Sequence, residues 1–125
     1  MSGKPTILIV EDEAVISMML QMEMEEAGYA VVGTASTGAA AVALQKATQP
    51  DLILMDIRLA DKSSGLEAAR QIRAGGRVPI LFITGYDTTE RTAEVESLKP
   101  SAILAKPLNM EELRLTIAAL LRQGQ

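Results

Sequence analysis

The chain has no cysteine and no histidine. The first absence removes a disulfide framework and thiol chemistry. The second removes Ser–His triads, histidine metal sites and imidazole general bases. Tryptophan is missing too, and Tyr29, Phe82 and Tyr86 are the only aromatics, too few to favour stacking on bases. A net charge of −4 gives nucleic-acid binding no support. No signal-peptide pattern precedes the first apolar run, and no run approaches the roughly 18 residues of a membrane span. The expected location is the cytoplasm, with neither a membrane nor a nucleic acid as partner.

What is present is apolar. Of the 125 residues, 48% are hydrophobic and the mean hydropathy is +0.18, which excludes general disorder. The length fits one domain over residues 1–125, with no effector domain, and suffices to bury a core.

The chain turns on Asp51–Leu59, D-L-I-L-M-D-I-R-L. Leu52–Met55 run straight into Asp56 and Ile57 follows, so one carboxylate is embedded in hydrocarbon. An apolar run of this length reads as a buried strand. Charged residues are rarely buried unless paired, so Asp56 belongs where the strand leaves the core. That is the edge at which open α/β sheets bind ligands. A helix cap or a surface loop acid is the plain alternative.

Four other apolar runs read as strands: Ile7–Val10, Ala30–Ala35, Ile80–Ile83 and Ala102–Ala105. Helical patterns separate them. From Ala14, the residues Val15, Met18, Met19 and Met22 share one face, which predicts a Met-rich stripe packed in the core; Gly28 is the stop signal. Thr37-Gly38 opens an alanine-rich helix that Gln49-Pro50 ends. Ser64 and Glu67 have capping-box spacing for a helix running to Gly75-Gly76. Asp87 and Glu90 have the same spacing for a fourth helix, roughly 88–97. Its apolar residues are few (Ala93, Val95, Leu98), which predicts a loosely held element. Asn109 and Glu112 cap a last helix with Leu113, Ile117, Leu120 and Leu121 inward.

Strands alternating with helices predict βαβ units and a parallel sheet. Right-handed crossovers favour a flavodoxin-like, doubly wound sheet of five strands in the order 2-1-3-4-5 with five helices. Such a sheet brings the ends of the long runs to one edge: Glu11-Asp12, Asp56, Thr84 and Lys106. Neighbouring strands lie about 4.8 Å apart, so three carboxylates crowd one pocket. Two unit charges about 4 Å apart cost about 4 kcal/mol at an effective dielectric of about 20. The pocket must therefore raise a carboxylate pKa or bind a cation, and an all-oxygen site with room for water suits Mg²⁺. Lys106 and Thr84 can neutralise and hydrogen-bond a phosphoryl group, and Asp56 can then act as a nucleophile toward phosphorus. Singly, each residue has a plain reading: Glu11-Asp12 as helix caps, Thr84 in a turn, Lys106 on the surface. Their coincidence at four strand ends outweighs those readings.

This pattern resembles the receiver domain of bacterial two-component response regulators, across the whole chain. The resemblance implies that Glu11 and Asp12 hold Mg²⁺, that Asp56 is the phosphoacceptor, and that the Arg58 backbone carbonyl is a further metal ligand. It implies that Thr84 is the switch hydroxyl, with Gly85 leaving room for the phosphoryl group, and that Lys106-Pro107 is the family's Lys-Pro pair with a cis bond. There are two departures. Ile103 stands where the family usually carries Tyr or Phe, and the loop after Asp56 lacks a usual Pro and runs one residue longer to Gly65. With Phe82-Ile83-Thr84-Gly85-Tyr86 these departures are similar to a subgroup named for its F-A-T-G-U-Y motif, often found as stand-alone receivers. Ile103 has no ring to rotate, so Tyr86 and the fourth helix become the candidate moving parts of the switch.

The function this implies is a single-domain response regulator. A sensor histidine kinase or phosphotransfer protein would phosphorylate Asp56. The output would be phosphorylation-dependent binding to an unknown partner, or drainage of phosphate from a kinase, by a monomer or a phosphorylation-dependent dimer. It would catalyse only its own phosphorylation and dephosphorylation. An aspartyl-phosphate enzyme of the phosphatase type is a rival, but such enzymes usually place a second Asp where Arg58 stands. A nucleotide- or flavin-binding module would need a Gly-rich turn where E-D-E-A follows the first strand. A phosphorylation-independent pseudo-receiver is disfavoured by the intact Asp56 and Lys106.

Overall fold

The computed structural model describes residues 3–59, 64–85 and 92–123. Five strands are present: β1 (Thr6–Val10), β2 (Ala30–Ala35), β3 (Leu52–Asp56), β4 (Ile80–Thr84) and β5 (Ser101–Ala105). Between and after them lie α1 (Ala14–Glu26), α2 (Gly38–Thr48), α3 (Gly65–Ala74), α4 (Thr92–Glu96) and α5 (Met110–Gln123). The strands form one parallel sheet in the order β2-β1-β3-β4-β5, the flavodoxin-like arrangement expected from the alternating pattern.

β3 and β4 are buried throughout, as parallel strands covered by helices on both faces must be. Their side chains alternate between two core layers. Leu8, Val10, Ile53, Met55 and Phe82 face α2, α3 and α4. Ile7, Ile9, Leu54, Leu81 and Ile83 face α1 and α5.

Local signals set most of the boundaries. Thr37 caps α2 by accepting from the Ala40 amide at 3.1 Å. Ser64 caps α3 by accepting from the Leu66 amide at 3.0 Å. Glu67, at capping-box spacing, pairs with Arg70 at 2.9 Å. Asn109 accepts from the Glu112 amide at 2.9 Å ahead of α5. Gly28 follows α1 with φ +96°, a conformation that a side chain would strain.

One expectation is corrected. Val15, Met18, Met19 and Met22 do share a face of α1, but that face is exposed. Leu20 and Met24 are the buried residues, with Ile16 packed beside them. The helix is apolar nearly all round, so periodicity alone could not say which face meets the sheet. Of the fourth helix, Thr92–Glu96 lies within the described residues. Val95 and Leu98 are buried, and Glu94 pairs with Arg70 at 2.5 Å. Arg73 of α3 donates to the Leu98 carbonyl at 2.8 and 3.0 Å and to the Pro100 carbonyl at 3.1 Å. The start expected for this helix, and Tyr86, lie outside the described residues.

Candidate functional site

Strand register assembles the site. Val10 pairs with Met55, so Glu11 and Asp56 emerge side by side. Asp56 pairs with Ile83 and Thr84 with Ala105, which places Thr84 and Lys106 at the same edge. The Lys106 amide donates to the Thr84 carbonyl at 2.7 Å, fixing the point where the lysine leaves the sheet. The Lys106-Pro107 bond is cis, as the resemblance implies. Lys99-Pro100 is cis as well.

Asp56 is 5% exposed, Glu11 3% and Thr84 7%. Lys106 Nζ lies 3.1 Å from Asp56 Oδ2, 3.5 Å from Glu11 Oε1 and 3.8 Å from Glu13 Oε1. The Arg58 amide donates to Asp56 Oδ1 at 3.0 Å. Both Asp56 oxygens therefore have a donor, and the carboxylate is held in one orientation.

The electrostatics follow from this crowding. Burial alone would lower the Lys106 pKa, but the hydrogen bond to Asp56 and the charges of Asp56, Glu11 and Glu13 leave it raised. Burial pushes the Glu11 carboxyl up to about 7, aided by Asp56 and opposed by the Glu13 amide and Lys106.

Glu11, Asp12 and Asp56 can bring one oxygen each within 4.8 Å of one another. Glu11 Oε1 is buried and makes no hydrogen bond. A buried carboxylate oxygen with no hydrogen bond and only the longer contact to Lys106 is costly, and such an all-oxygen set fits a hard divalent cation. Asp12 itself is exposed, at the mouth of the cluster.

Two residues matter more than the sequence suggested. Gly65 N–H donates to the Ile57 carbonyl at 2.7 Å, and a Cβ on Gly65 would stand 2.1 Å from the Asp56 carbonyl oxygen. The start of α3 thus lies against the Asp56 backbone as only glycine permits. Glu13, in the acidic turn after β1, is the third acid facing Lys106, a role that one more acid after the Glu11-Asp12 pair marks only ambiguously in the sequence. Ile103 is half-buried, opposite Phe82 in the sheet, and packs toward α2, α3 and α4.

A cleft of about 800 Å³ opens beside the site, walled by Ile16, Met19, Leu20, Leu108 and Met110 with Asp56 and Lys106. It runs from the carboxylates onto the surface of α1. No described helix is long and apolar enough to cross a membrane.

Comparison with known proteins agrees with the fold. The phyllosphere-induced regulator PhyR of Methylorubrum extorquens is 43% identical over 81% of this chain and 38% of its own length. The transcriptional regulatory protein PdtaR of Mycobacterium tuberculosis is 34% identical over 86% of this chain and 52% of its own. The chain thus spans about half or less of these two relatives. The solution structure of the receiver domain of PhyR from Erythrobacter litoralis superposes with a TM-score of 0.84, at 36% identity over 96% of this chain and 92% of that one. The family model of the response regulator receiver domain matches residues 7–118, and with the acidic cluster opposite Lys106 it makes this chain a member of the receiver domain family of two-component response regulators.

Proposed function

We propose that the chain takes a phosphoryl group onto Asp56 from a phosphohistidine of a sensor histidine kinase or phosphotransfer protein. The observation that carries this reading is the Asp56 carboxylate, buried at a strand end and held between the Arg58 amide and the Lys106 ammonium. One carboxylate oxygen attacks phosphorus, the phosphorus–nitrogen bond breaks, and the imidazole leaves with its electron pair. Lys106 offsets the charge that gathers on the phosphoryl oxygens. The Thr84 hydroxyl, at the adjacent strand end, donates to one of them. Glu11, Asp12, Asp56 and the Arg58 carbonyl would hold Mg²⁺, which when bound neutralises phosphoryl charge that the protein cannot reach. The product is read by a partner protein or serves to drain phosphate from the donor. We propose Tyr86 and Ile103, with Thr84, as the residues through which phosphorylation is sensed.

An enzyme of the aspartyl-phosphate type needs a second acid to protonate its leaving group. Arg58, two residues after Asp56 and exposed, cannot serve, which supports a signalling protein. Acetyl phosphate with Mg²⁺ should add one phosphoryl unit to the protein, seen by intact mass. Asp56→Asn should remove all labelling, and unchanged labelling of that variant sinks the reading.

A further inference from the structure

The cleft beside Asp56 is larger than a phosphoryl group requires. Its volume of about 800 Å³ falls within the roughly 300–1,000 Å³ of small-molecule sites. Its two ends differ in chemistry. One end holds Asp56 and Lys106, and the other is walled by Ile16, Met19, Leu20, Leu108 and Met110. Leu20 is buried, and Ile16, Leu108 and Met110 pack against the same core layer, so the apolar wall is anchored in the interior.

The direction of attack connects the two ends. In-line displacement puts the leaving group on the far side of phosphorus from the attacking oxygen. Asp56 rises from the buried end of β3, so a leaving group lies outward, in the cleft. The site also favours a leaving group that departs as an anion, because the chain has no histidine and Arg58 stands two residues after Asp56 where an acid would be needed. A carboxylate is such a group, being ionised at neutral pH.

We propose that the cleft is an acyl subsite, through which Asp56 also takes its phosphoryl group from an acyl phosphate with a medium-length, uncharged hydrocarbon tail. An Asp56 oxygen bonds to phosphorus, the bond from phosphorus to the acyl oxygen breaks, and the fatty carboxylate leaves with the electron pair. The phosphoryl oxygens meet Lys106, and the tail lies along Ile16, Met19 and Met110. Methionine, unbranched and polarisable, adapts to such a tail. Asp12 and Glu13 line the same cleft and are exposed, so a tail that ends in a carboxylate is repelled. The proposal rests on the phosphotransfer reading of Asp56 and adds a donor class to it.

Binding is read first, by amide NMR with Mg²⁺ present, using alkylphosphonates that carry the head and tail without a bond to transfer. Methyl-, butyl- and octylphosphonate should all shift the signals around Asp56 and Lys106, and the longer two should also shift Ile16, Met19 and Met110. Each added methylene should tighten binding about twofold to fourfold. Carboxypropylphosphonate should bind more weakly than butylphosphonate. Met19→Asp should lose the gain with length, whereas Met22→Asp, on the same helix and outside the cleft, should keep it. Octanoyl phosphate should then label Asp56 at lower concentration than acetyl phosphate does, by intact mass. No gain with length, an equal gain for octylamine, loss of the gain in Met22→Asp, or a response to phosphatidic acid vesicles in place of the soluble phosphonates overturns the subsite. Labelling by both acyl phosphates without a length preference removes the subsite and leaves the phosphotransfer reading. Length-dependent phosphonate binding with no labelling by either donor removes the phosphotransfer reading and the transfer step with it, and leaves the cleft as a binding site.

Discussion

Glu11 and Asp56 are buried side by side at the ends of β1 and β3, and both reach the same ammonium, that of Lys106. Asp56 takes the shorter contact and a backbone donor besides. Glu11 takes the longer one and keeps an oxygen without a hydrogen bond. The burden of crowding therefore falls on Glu11.

That inequality sets a pH dependence for the metal-free protein. Glu11 titrates near 4.5 in the unfolded chain and near 7 in the fold. Between those values the native state holds a proton that the unfolded state has released. Stability must therefore fall as pH rises through that window, by up to about 3 kcal/mol. The raised Lys106 pKa acts at the alkaline end, where its contribution is lost as pH climbs through the folded value. In EDTA, the melting temperature should drop between about pH 5 and about pH 7.5, and Glu11→Gln should flatten the drop. An equal drop in that variant counts against the assignment.

A cation that binds the cluster and not the unfolded chain stabilises by linkage. The expected gain is about 2.7 kcal/mol at a hundredfold excess over Kd. Melting with and without Mg²⁺ should show a rise in the native chain and a much smaller one in Asp12→Ala. Asp12 is exposed, so its removal costs little packing and the comparison isolates the metal. The same rise in both proteins would exclude Asp12 as a ligand.

Gly65→Ala is expected to damage the site without touching a polar group. The added methyl would lie 2.1 Å from the Asp56 carbonyl oxygen, and backbone cannot step aside as a flexible side chain can. Strain of about 2 kcal/mol or more should appear in urea unfolding, with slower labelling by acetyl phosphate. A variant with normal stability and normal labelling would show that α3 can retreat freely.

Arg73 is expected to matter for the end of α4. Its guanidinium spends its donors on the carbonyls of Leu98, Pro100 and Gly76, with burial and the nearby Arg77 holding its pKa down. Arg73→Met keeps the stem and removes the donors, so the Leu98 carbonyl loses both guanidinium contacts while the Pro100 carbonyl keeps the Ile80 amide. The cost should be about 2 kcal/mol, and hydrogen exchange should quicken for residues 95–101. Unchanged exchange there would mean the carbonyls find other donors.

The sheet and its order were legible because each long apolar run has a sharp end. Val10 meets Glu11, Met55 meets Asp56 and Ile83 meets Thr84, and the run of consecutive apolar side chains stops at each of these residues. The same abruptness gave the candidate site. The direction of α1 was not legible, because Ile16, Leu20 and Met24 are no more apolar than Val15, Met18 and Met22, and only the position of the sheet decides between them. Arg73 was invisible for a different reason. Its partners are main-chain carbonyls, which carry no mark in the sequence. Gly65 read as the end of a loop, because the close approach it permits is to Asp56, nine residues earlier.

The alternation along β1, β3 and β4 gives the protein two interiors with a wall of backbone between them. Leu54 and Met55 are neighbours in the chain, yet Leu54 packs under α1 and α5 and Met55 under α2, α3 and α4. Residues without shared partners contribute nearly additively. Substitutions in the layer under α1 and α5 are therefore expected to leave the packing under α2, α3 and α4 undisturbed, and the reverse.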